Sequence, residues 1–183
     1  VSIILVIIIG YLSFEKSKER TKIKLANKYN LALIDLNPDN KQKTIDEMVN
    51  VVKSNDATYS PLALYHLLDN NLLENNEEIN ILFNELIEKT NLDNEIKNLI
   101  IYKKALFNSD LVSENELLKI LNPVINSESI WKSHSLYLLA EFFYSKNEKQ
   151  KAKEFFNQII VLPNANSTIK TESQKRLNRD LGE

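Results

Sequence analysis

The chain begins with fourteen residues, Val1 to Phe14, in which apolar side chains predominate and no residue is charged. From Glu15 onward, apolar residues recur at three- and four-residue spacing between polar and charged positions, which is the pattern of amphipathic helices. The pattern therefore predicts an apolar segment, residues 1–14, joined to an all-α body, residues 15–183.

The apolar run is best interpreted as part of a membrane anchor. A spanning helix needs about 20 apolar residues, and no Met precedes Val1, so we expect the chain to begin inside the span. Tyr11 and Phe14 suit the aromatic belt at the end of a span. Two alternatives are a secretory signal peptide, although no small-residue cleavage site follows, and a buried core helix, although its many β-branched residues would make it apolar all round.

Breaks in the periodicity divide the body into predicted helices. The first continues from the apolar run to about Leu36, where Asn37-Pro38 ends it. We expect others at about 41–53, 60–70, 77–90, 148–160 and 167–180. Between 90 and 148, one helix follows Asp93 and carries Ile96 to Leu106, the next runs from 114 to about 125, and a third is opened by residues 127–129 and carries Trp131 to Phe143. Ser60 and Asp93 are expected N-caps, Ser113 has capping-box spacing to Glu116, and Pro123 is expected to kink or end the sixth helix.

Composition excludes several classes of function. The net charge is −2, with Lys and Arg dispersed among Asp and Glu, so no basic stripe is available for nucleic acid. The chain has no Cys, which excludes disulfides, thiolate catalysis and Cys-based zinc sites. Gly10 and Gly182 are its two glycines, so the body has no phosphate-binding glycine loop, and few turns with positive φ are expected.

The predicted helices form similar pairs. A bulky position recurs at Met48, Phe83, Leu121 and Phe156, in steps of 35, 38 and 35 residues. Such a period with two helices per unit predicts an α-solenoid of about four helix pairs, with the polar helix 167–180 as its cap. The alternative is an irregular helical bundle without a true repeat.

The last pair carries the sharpest signature. Its large, small, aromatic and Pro positions fall close to those of the tetratricopeptide repeat; they are Leu136, Leu139, Ala140, Phe143, Ala152, Phe156 and Pro163. Small residues at Ala140 and Ala152 allow the two helices to approach each other closely. The earlier pairs match this repeat only in hydrophobic register.

This layout, with segments such as Tyr59-Ser60-Pro61-Leu62-Ala63-Leu64 and Leu138-Leu139-Ala140-Glu141-Phe142-Phe143, resembles a bacterial family of membrane-anchored repeat proteins. The family comprises the ancillary subunit of the SecYEG translocon and shares its repeat domain with a cell-division coordinator of the Tol-Pal system. The resemblance implies a single-pass protein of the bacterial inner membrane. Its repeat domain would lie in the periplasm and contact the translocon and a periplasmic prolyl-isomerase chaperone. Lys16, Lys18 and Arg20 favour instead a cytoplasmic side under the positive-inside rule.

The sequence offers little catalytic chemistry. His66 and His134 are the only histidines and lack metal-ligand spacing, so a surface or groove position is favoured for both. The paired glutamates lie at helix starts, where capping and the helix dipole explain them. Trp131 is interpreted as a core residue rather than part of a ligand site. We expect no catalytic site, metal, cofactor or small-molecule substrate.

A protein-binding groove remains. First helices line the concave side of tetratricopeptide arrays, and the positions expected to face it are Leu64, Leu68, Tyr102, Leu106, His134, Tyr137, Glu141 and Tyr144. This apolar and aromatic set suits an extended or helical peptide segment. Alternatively a neighbouring helix covers the groove, such as the long first helix.

The expected function is that of a membrane-anchored scaffold, an ancillary translocon subunit that links the translocon to periplasmic chaperones. One alternative is an envelope or cell-division coordination protein that acts through self-association or Tol-Pal-type partners. Another is an enzyme with an unrecognised site.

Overall fold

The computed structural model describes residues 2–37 and 39–182. The described residues form nine helices and no strand, which confirms the predicted all-α class. The helices are α1 Ser2–Ile34, α2 Lys41–Val52, α3 Tyr59–Asp69, α4 Asn76–Lys89, α5 Asn94–Asn108, α6 Glu114–Ile125, α7 Lys132–Ser145, α8 Lys149–Val161 and α9 Ser167–Asp180. They belong to two compact units, Val1–Asn91 and Leu92–Glu183.

Side-chain caps fix several helix starts, and those at Asp93 and Ser113 confirm the prediction. The Asp93 carboxylate accepts a hydrogen bond from the Glu95 amide at 2.8 Å, and the Ser113 hydroxyl accepts one from the Glu116 amide at 3.4 Å. Asn75 and Asn166 cap α4 and α9 in the same way. Such caps satisfy backbone donors that have no partner within the helix.

The start of α3 differs from the prediction. The Asp56 carboxylate accepts hydrogen bonds from the Thr58 and Tyr59 amides, both at 2.8 Å. Ser60 is buried one residue inside the helix, where its hydroxyl donates to the Val51 carbonyl at 2.9 Å. Ser60 therefore ties α3 to α2 instead of capping α3, because the preceding Asp56 already supplies the acceptor.

The predicted proline positions have mixed outcomes. Pro123 lies inside α6, which ends two residues later at Ile125. Helix α1 ends at Ile34, and Pro38 lies outside the described residues.

Helix α7 begins at Lys132, after a turn in which the Ser129 hydroxyl accepts a hydrogen bond from the Trp131 amide at 3.1 Å.

In the first unit, α2 packs most extensively on α3, while α4 contacts both helices more sparsely. Its fully buried side chains include Met48, Leu64, Leu67, Phe83 and Leu86. Helix α1 joins this core only through its C-terminal part. There Ala32 is buried, and the rings of Tyr29 and Tyr59 lie 5.8 Å apart.

The N-terminal part of α1 has no packing partner within its unit. Between Ile4 and Lys24, every described side chain is exposed, and the first partly buried residue is Leu25. None of the described helices has an apolar stretch long enough to cross a lipid bilayer. The unit therefore carries an apolar helical segment that its own core does not cover.

In the second unit, helices that follow each other in the chain pack together. Helix α5 packs on α6, and α7 packs on α8 through the most extensive helix contact in the unit. The alternate helices α5, α7 and α9 also contact one another in that order. Ala140 and Ala152 are fully buried, as expected for small residues that allow close helix approach, and Phe143 and Phe156 fill the same core.

Three asparagines take the place of glycine in left-handed turns. Asn55, Asn71 and Asn147 have φ values of 57°, 49° and 62°, and they are the positive-φ residues of the described chain. After α7, the Glu148 amide bonds to the Phe143 carbonyl at 2.9 Å and the Asn147 amide bonds to the Tyr144 carbonyl at 3.0 Å. These two bonds form a Schellman motif. Helix C-caps of this kind therefore form in the body although it is poor in glycine.

Candidate protein-binding surface

The eight expected groove residues divide between the two units. Leu64 and Leu68 lie on α3 of the first unit, where Leu64 is fully buried in the core and Leu68 is partly buried. The other six lie on α5 and α7 of the second unit. Leu64 has no surface left for a partner, so only the α5–α7 set can form a binding surface within one unit.

An aromatic cluster, Tyr102, Trp131 and His134, joins α5 to the start of α7. Tyr102 stacks on Trp131 with ring centroids 5.9 Å apart and planes inclined by 19°. The His134 ring lies 5.9 Å from Tyr102 and 5.2 Å from Trp131. All three side chains are partly exposed, so each keeps surface available to a partner.

A carboxylate holds this cluster in place. Glu95 of α5 accepts hydrogen bonds from the Ser129 hydroxyl at 2.8 Å and from the Ile130 amide at 3.2 Å. Negative charge is favourable at the N-terminal end of a helix such as α7. Glu95 thereby fixes the turn that carries Trp131 against Tyr102.

The electrostatics favour neutral rings in the cluster. Burial raises the pKa of Tyr102. Burial also lowers the pKa of His134, with the Ile130 carbonyl acting in the opposite direction. At neutral pH the cluster therefore presents uncharged aromatic faces, which suit apolar side chains and peptide groups.

A small cavity of about 410 Å³ opens beside the cluster. It is lined by Ile130, Trp131, His134, Asn164 and Asn166. The Asn166 side chain is already used, because its oxygen accepts from the Thr168 and Ile169 amides. The lining combines an aromatic wall, a histidine and amides without a carboxylate or ammonium group.

The second half of α7 is covered by α9. Arg176 of α9 makes a two-pronged ion pair with Glu141, with Nε 2.7 Å from Oε1 and Nη2 bonded to Oε2. Arg176 also bonds to Asp180 at 2.8 Å, and its guanidinium carbon lies 4.8 Å from the centroid of the Tyr144 ring. Tyr137 packs edge-on against Phe156. Glu141 and Tyr144, two of the residues expected to face the groove, are therefore in contact with α9.

This arrangement also shifts the pKa values of its ion pairs. Glu141 and then Asp180 raise the pKa of Arg176. Arg179 and then Arg176 lower the pKa of Asp180. These charged groups already pair with one another inside the unit, so they are poorly suited to bind a charged ligand.

Sequence reasoning missed several contributors to the surface. Trp131 was expected in the core, Arg176 was expected on a solvated cap, and Asn164 was not considered. The common reason is that each acts across 29 to 35 residues of sequence, from Tyr102 to Trp131 or from Glu141 to Arg176. The helical spacing of apolar residues gives no signal for contacts over such a distance in the sequence.

The first unit has a cleft of its own, of about 780 Å³, between α1 and the α2–α3 turn. Its lining residues are Phe14, Ser17, Lys18, Thr21, Lys22, Lys24, Leu25, Lys28, Ser54, Asn55, Asp56, Ala57, Thr58 and Asn91. Four of them are lysines, whereas Asp56 is the one carboxylate among them and already caps α3.

Neither histidine takes part in a metal site. His66 lies on α3, where its Nδ1 is 3.2 Å from the side-chain amide nitrogen, Nδ2, of Asn70. His134 lies in the other unit. Over residues 2–37 and 39–182, no three His, Asp or Glu side chains form a group that could hold a metal ion.

In comparisons with known proteins, no family model, curated protein or solved structure matches this chain significantly.

Proposed function

We propose that this protein is a membrane-tethered, non-catalytic scaffold, in which the apolar part of α1 enters lipid and the helical body holds a protein partner. The observation that carries the proposal is the continuous helix α1. Eight of its large apolar residues between Ile4 and Phe14 are 50 to 68% exposed, and its C-terminal part packs into the core of the first unit.

The exposed apolar surface is large enough to drive membrane binding. Eight large side chains contribute, namely Ile4, Val6, Ile7, Ile8, Ile9, Tyr11, Leu12 and Phe14. At about 1 kcal/mol for each half-exposed side chain, their transfer out of water contributes on the order of 8 kcal/mol. No charged group between Ser2 and Phe14 opposes that transfer.

The distribution of these residues favours lipid over a protein groove. At 100° per residue they surround the helix on all sides, whereas a helix that binds a groove or lies flat on a membrane has one polar face. A helix that is apolar on every face is normally buried on every face, as it is in the interior of a bilayer. Residues 2–14 are about 20 Å long as a helix, shorter than the hydrocarbon layer of about 30 Å.

The body suits a scaffold because its second unit is built from stacked hairpins. The pairs α5–α6 and α7–α8, with α5, α7 and α9 in a row, support a tetratricopeptide-like arrangement. The aromatic cluster and the exposed Leu106 lie on its first helices. Tyr and Trp are the residue types that most often dominate the energy of protein interfaces, so we assign partner binding to this part of α5 and α7.

The layout resembles that of ancillary translocon subunits. It favours the bacterial inner membrane, with the body in the periplasm, and the translocon and a periplasmic chaperone as partners. The second candidate is envelope or cell-division coordination through self-association. Three exposed apolar residues of the body, Ile81, Ile130 and Val161, favour this candidate.

The tether is tested by flotation of the purified chain with phosphatidylcholine vesicles. The variant carries Ile4→Ser, Ile7→Ser and Ile8→Ser, and we expect it to lose binding while keeping its melting temperature, because all three residues are exposed. The matched control carries Ile81→Ser, Ile130→Ser and Val161→Ser, which removes equivalent apolar surface from the body. The proposal fails if the control loses as much binding as the first variant.

The partner is tested by site-specific photocrosslinking in native membranes. A photoreactive residue at Tyr102 is compared with one at Lys119, which is exposed on α6. We expect a distinct adduct from position 102, and mass spectrometry of the adduct distinguishes a translocon subunit from a second copy of the chain. Equal adducts from both positions, or none from position 102, would count against the α5–α7 surface.

A further inference from the structure

The charge of the chain is concentrated directly after its apolar segment. Residues 15–28 contain six of the 23 Lys and Arg residues but only two of the 25 Asp and Glu residues, a formal charge of +4. The remainder of the chain therefore has a formal charge of −6 within a total of −2. We call residues 15–28 the basic segment; its cations are Lys16, Lys18, Arg20, Lys22, Lys24 and Lys28.

The cations of the basic segment are unpaired among the described residues. All six are exposed, and none makes an ion pair within the described part of the chain. Elsewhere lysines do find partners, as Lys89 does with Glu85 at 2.8 Å and Lys151 with Glu114 at 2.7 Å. The basic segment thus keeps its charge available for a ligand.

The helix places these charges at graded distances from the apolar segment. At 1.5 Å per residue, Lys16, Lys18 and Arg20 lie about 3, 6 and 9 Å beyond Phe14 along the axis. Those distances match the headgroup layer, which is about 5 to 8 Å thick on each side of the hydrocarbon. The two carboxylates, Glu15 and Glu19, line one concavity together with Lys16, Lys18 and Lys22, so the positive charge available to a ligand is the excess of +4 over the whole segment.

The cleft of the first unit extends the same surface. Lys18 and Lys22 line it beside Phe14, so a phosphate group at the membrane surface has two ammonium groups and an apolar ring within one concavity. The cleft is large enough, at about 780 Å³, for a phospholipid headgroup. Asp56, on its far side, is already committed to the amides of Thr58 and Tyr59.

We propose that the basic segment binds the phosphate groups of anionic phospholipids, at the surface of the membrane into which residues 2–14 insert. The proposal rests on the tether proposed above. A lipid is favoured over an acidic protein because the nearest cations follow the apolar segment within two to six residues of Phe14. Insertion therefore brings them to the headgroups without further motion.

The test measures binding of the full chain to two kinds of vesicle. One is phosphatidylcholine alone, and the other contains about 30% phosphatidylglycerol, an anionic lipid. The variant carries Lys16→Gln, Lys18→Gln and Arg20→Gln. The control carries Lys41→Gln, Lys43→Gln and Lys119→Gln, which change the net charge equally at exposed sites outside the basic segment.

We expect the wild type to bind anionic vesicles more tightly than neutral ones. Each cation near the surface adds about fivefold, an effect that decays over about 8 Å at physiological salt. The basic-segment variant should therefore bind anionic vesicles about tenfold more weakly than the wild type and neutral vesicles unchanged. The control should change binding by less than about twofold.

The outcomes separate the two proposals. If the wild type binds both kinds of vesicle equally, or the variant binds anionic vesicles as the wild type does, the lipid proposal is overturned and the tether stands. If the wild type binds neither kind, both proposals fail. Binding to a polyglutamate peptide without preference for anionic vesicles would overturn the lipid proposal in favour of an acidic protein partner.

Discussion

Replacement of Phe156 by Ala probes the packing on which the second unit depends. Phe156 lies on α8, is fully buried, and meets the Tyr137 ring of α7 edge-on at 5.6 Å between centroids. It is also one of the bulky positions that define the repeat period. If the helix pairs pack as described, the neighbouring side chains should fill only part of the space that its ring leaves.

The expected cost follows from burial and from the ring contact. A fully buried Phe→Ala change destabilises a protein by about 3 to 5 kcal/mol, through lost burial and the cavity that remains. Of this, about 0.5 to 1.5 kcal/mol belongs to the aromatic pair with Tyr137. For a chain of this length each kcal/mol lowers the melting temperature by about 2 to 4 °C, so we expect a fall of about 6 to 20 °C.

Urea denaturation followed by circular dichroism measures the loss, with Phe14→Ala as the matched control. Phe14 is 65% exposed on the unpacked part of α1, so its removal should change the free energy of unfolding by less than about 0.5 kcal/mol. A loss below about 1 kcal/mol for Phe156→Ala would refute the packing described for α7 and α8. Equal losses for the two variants would refute it as well.

Three further predictions concern titration, a turn and an ion pair. Burial lowers the pKa of His66 and of His134, so their contribution to stability is present above the unfolded pKa of about 6.5 and is lost as the pH falls through the lowered values. The melting temperature should therefore fall as the pH is lowered below about 6.5, and it should fall less when both histidines are replaced by Gln. Asn147→Ala should lower the free energy of unfolding in urea by about 1 kcal/mol because of its positive φ, whereas Asn147→Gly should cost at most a few tenths. Arg176→Met should lower the free energy of unfolding by about 1 kcal/mol in the same assay, because it leaves the Glu141 carboxylate without its partner. The cost of Arg176→Met should be smaller when Glu141 is already replaced by Gln. Equal costs with Glu141 and with Gln at position 141 would contradict the pairing.

The helices and two of their N-caps could be predicted because the signals are local. Periodicity places an apolar face on each helix, and Asp93 and Ser113 accept bonds from amides two and three residues away. The end of the body was predicted closely for the same reason, since α9 spans Ser167–Asp180 as expected. Burial of Ala140 and Ala152 likewise follows from the need for close approach between two neighbouring helices.

The contacts that shape the candidate surface could not be predicted in this way. The helical period alone does not show that Arg176 reaches Glu141 and Tyr144, or that Glu95 holds the turn before α7. The left-handed turns at Asn55, Asn71 and Asn147 also differ from the expectation, because the scarcity of glycine predicts few residues with positive φ. Asn tolerates that conformation at a helix end. In the sequence Lys146-Asn147-Glu148, Asn147 therefore marks the left-handed turn that glycine marks in other proteins.

The unbroken course of α1 has a geometric consequence. The helix axis rises about 16 Å between Phe14 and Leu25, the first residue that packs on the unit. If the apolar end is held in lipid, as proposed, this stretch works as a rigid spacer that sets both the height of the first unit and the direction it faces. Two residues inserted between Glu19 and Arg20 would raise that unit by only about 3 Å but rotate it by about 200° about the helix axis. An insertion of eighteen residues, five whole turns, would restore the original facing at a greater height.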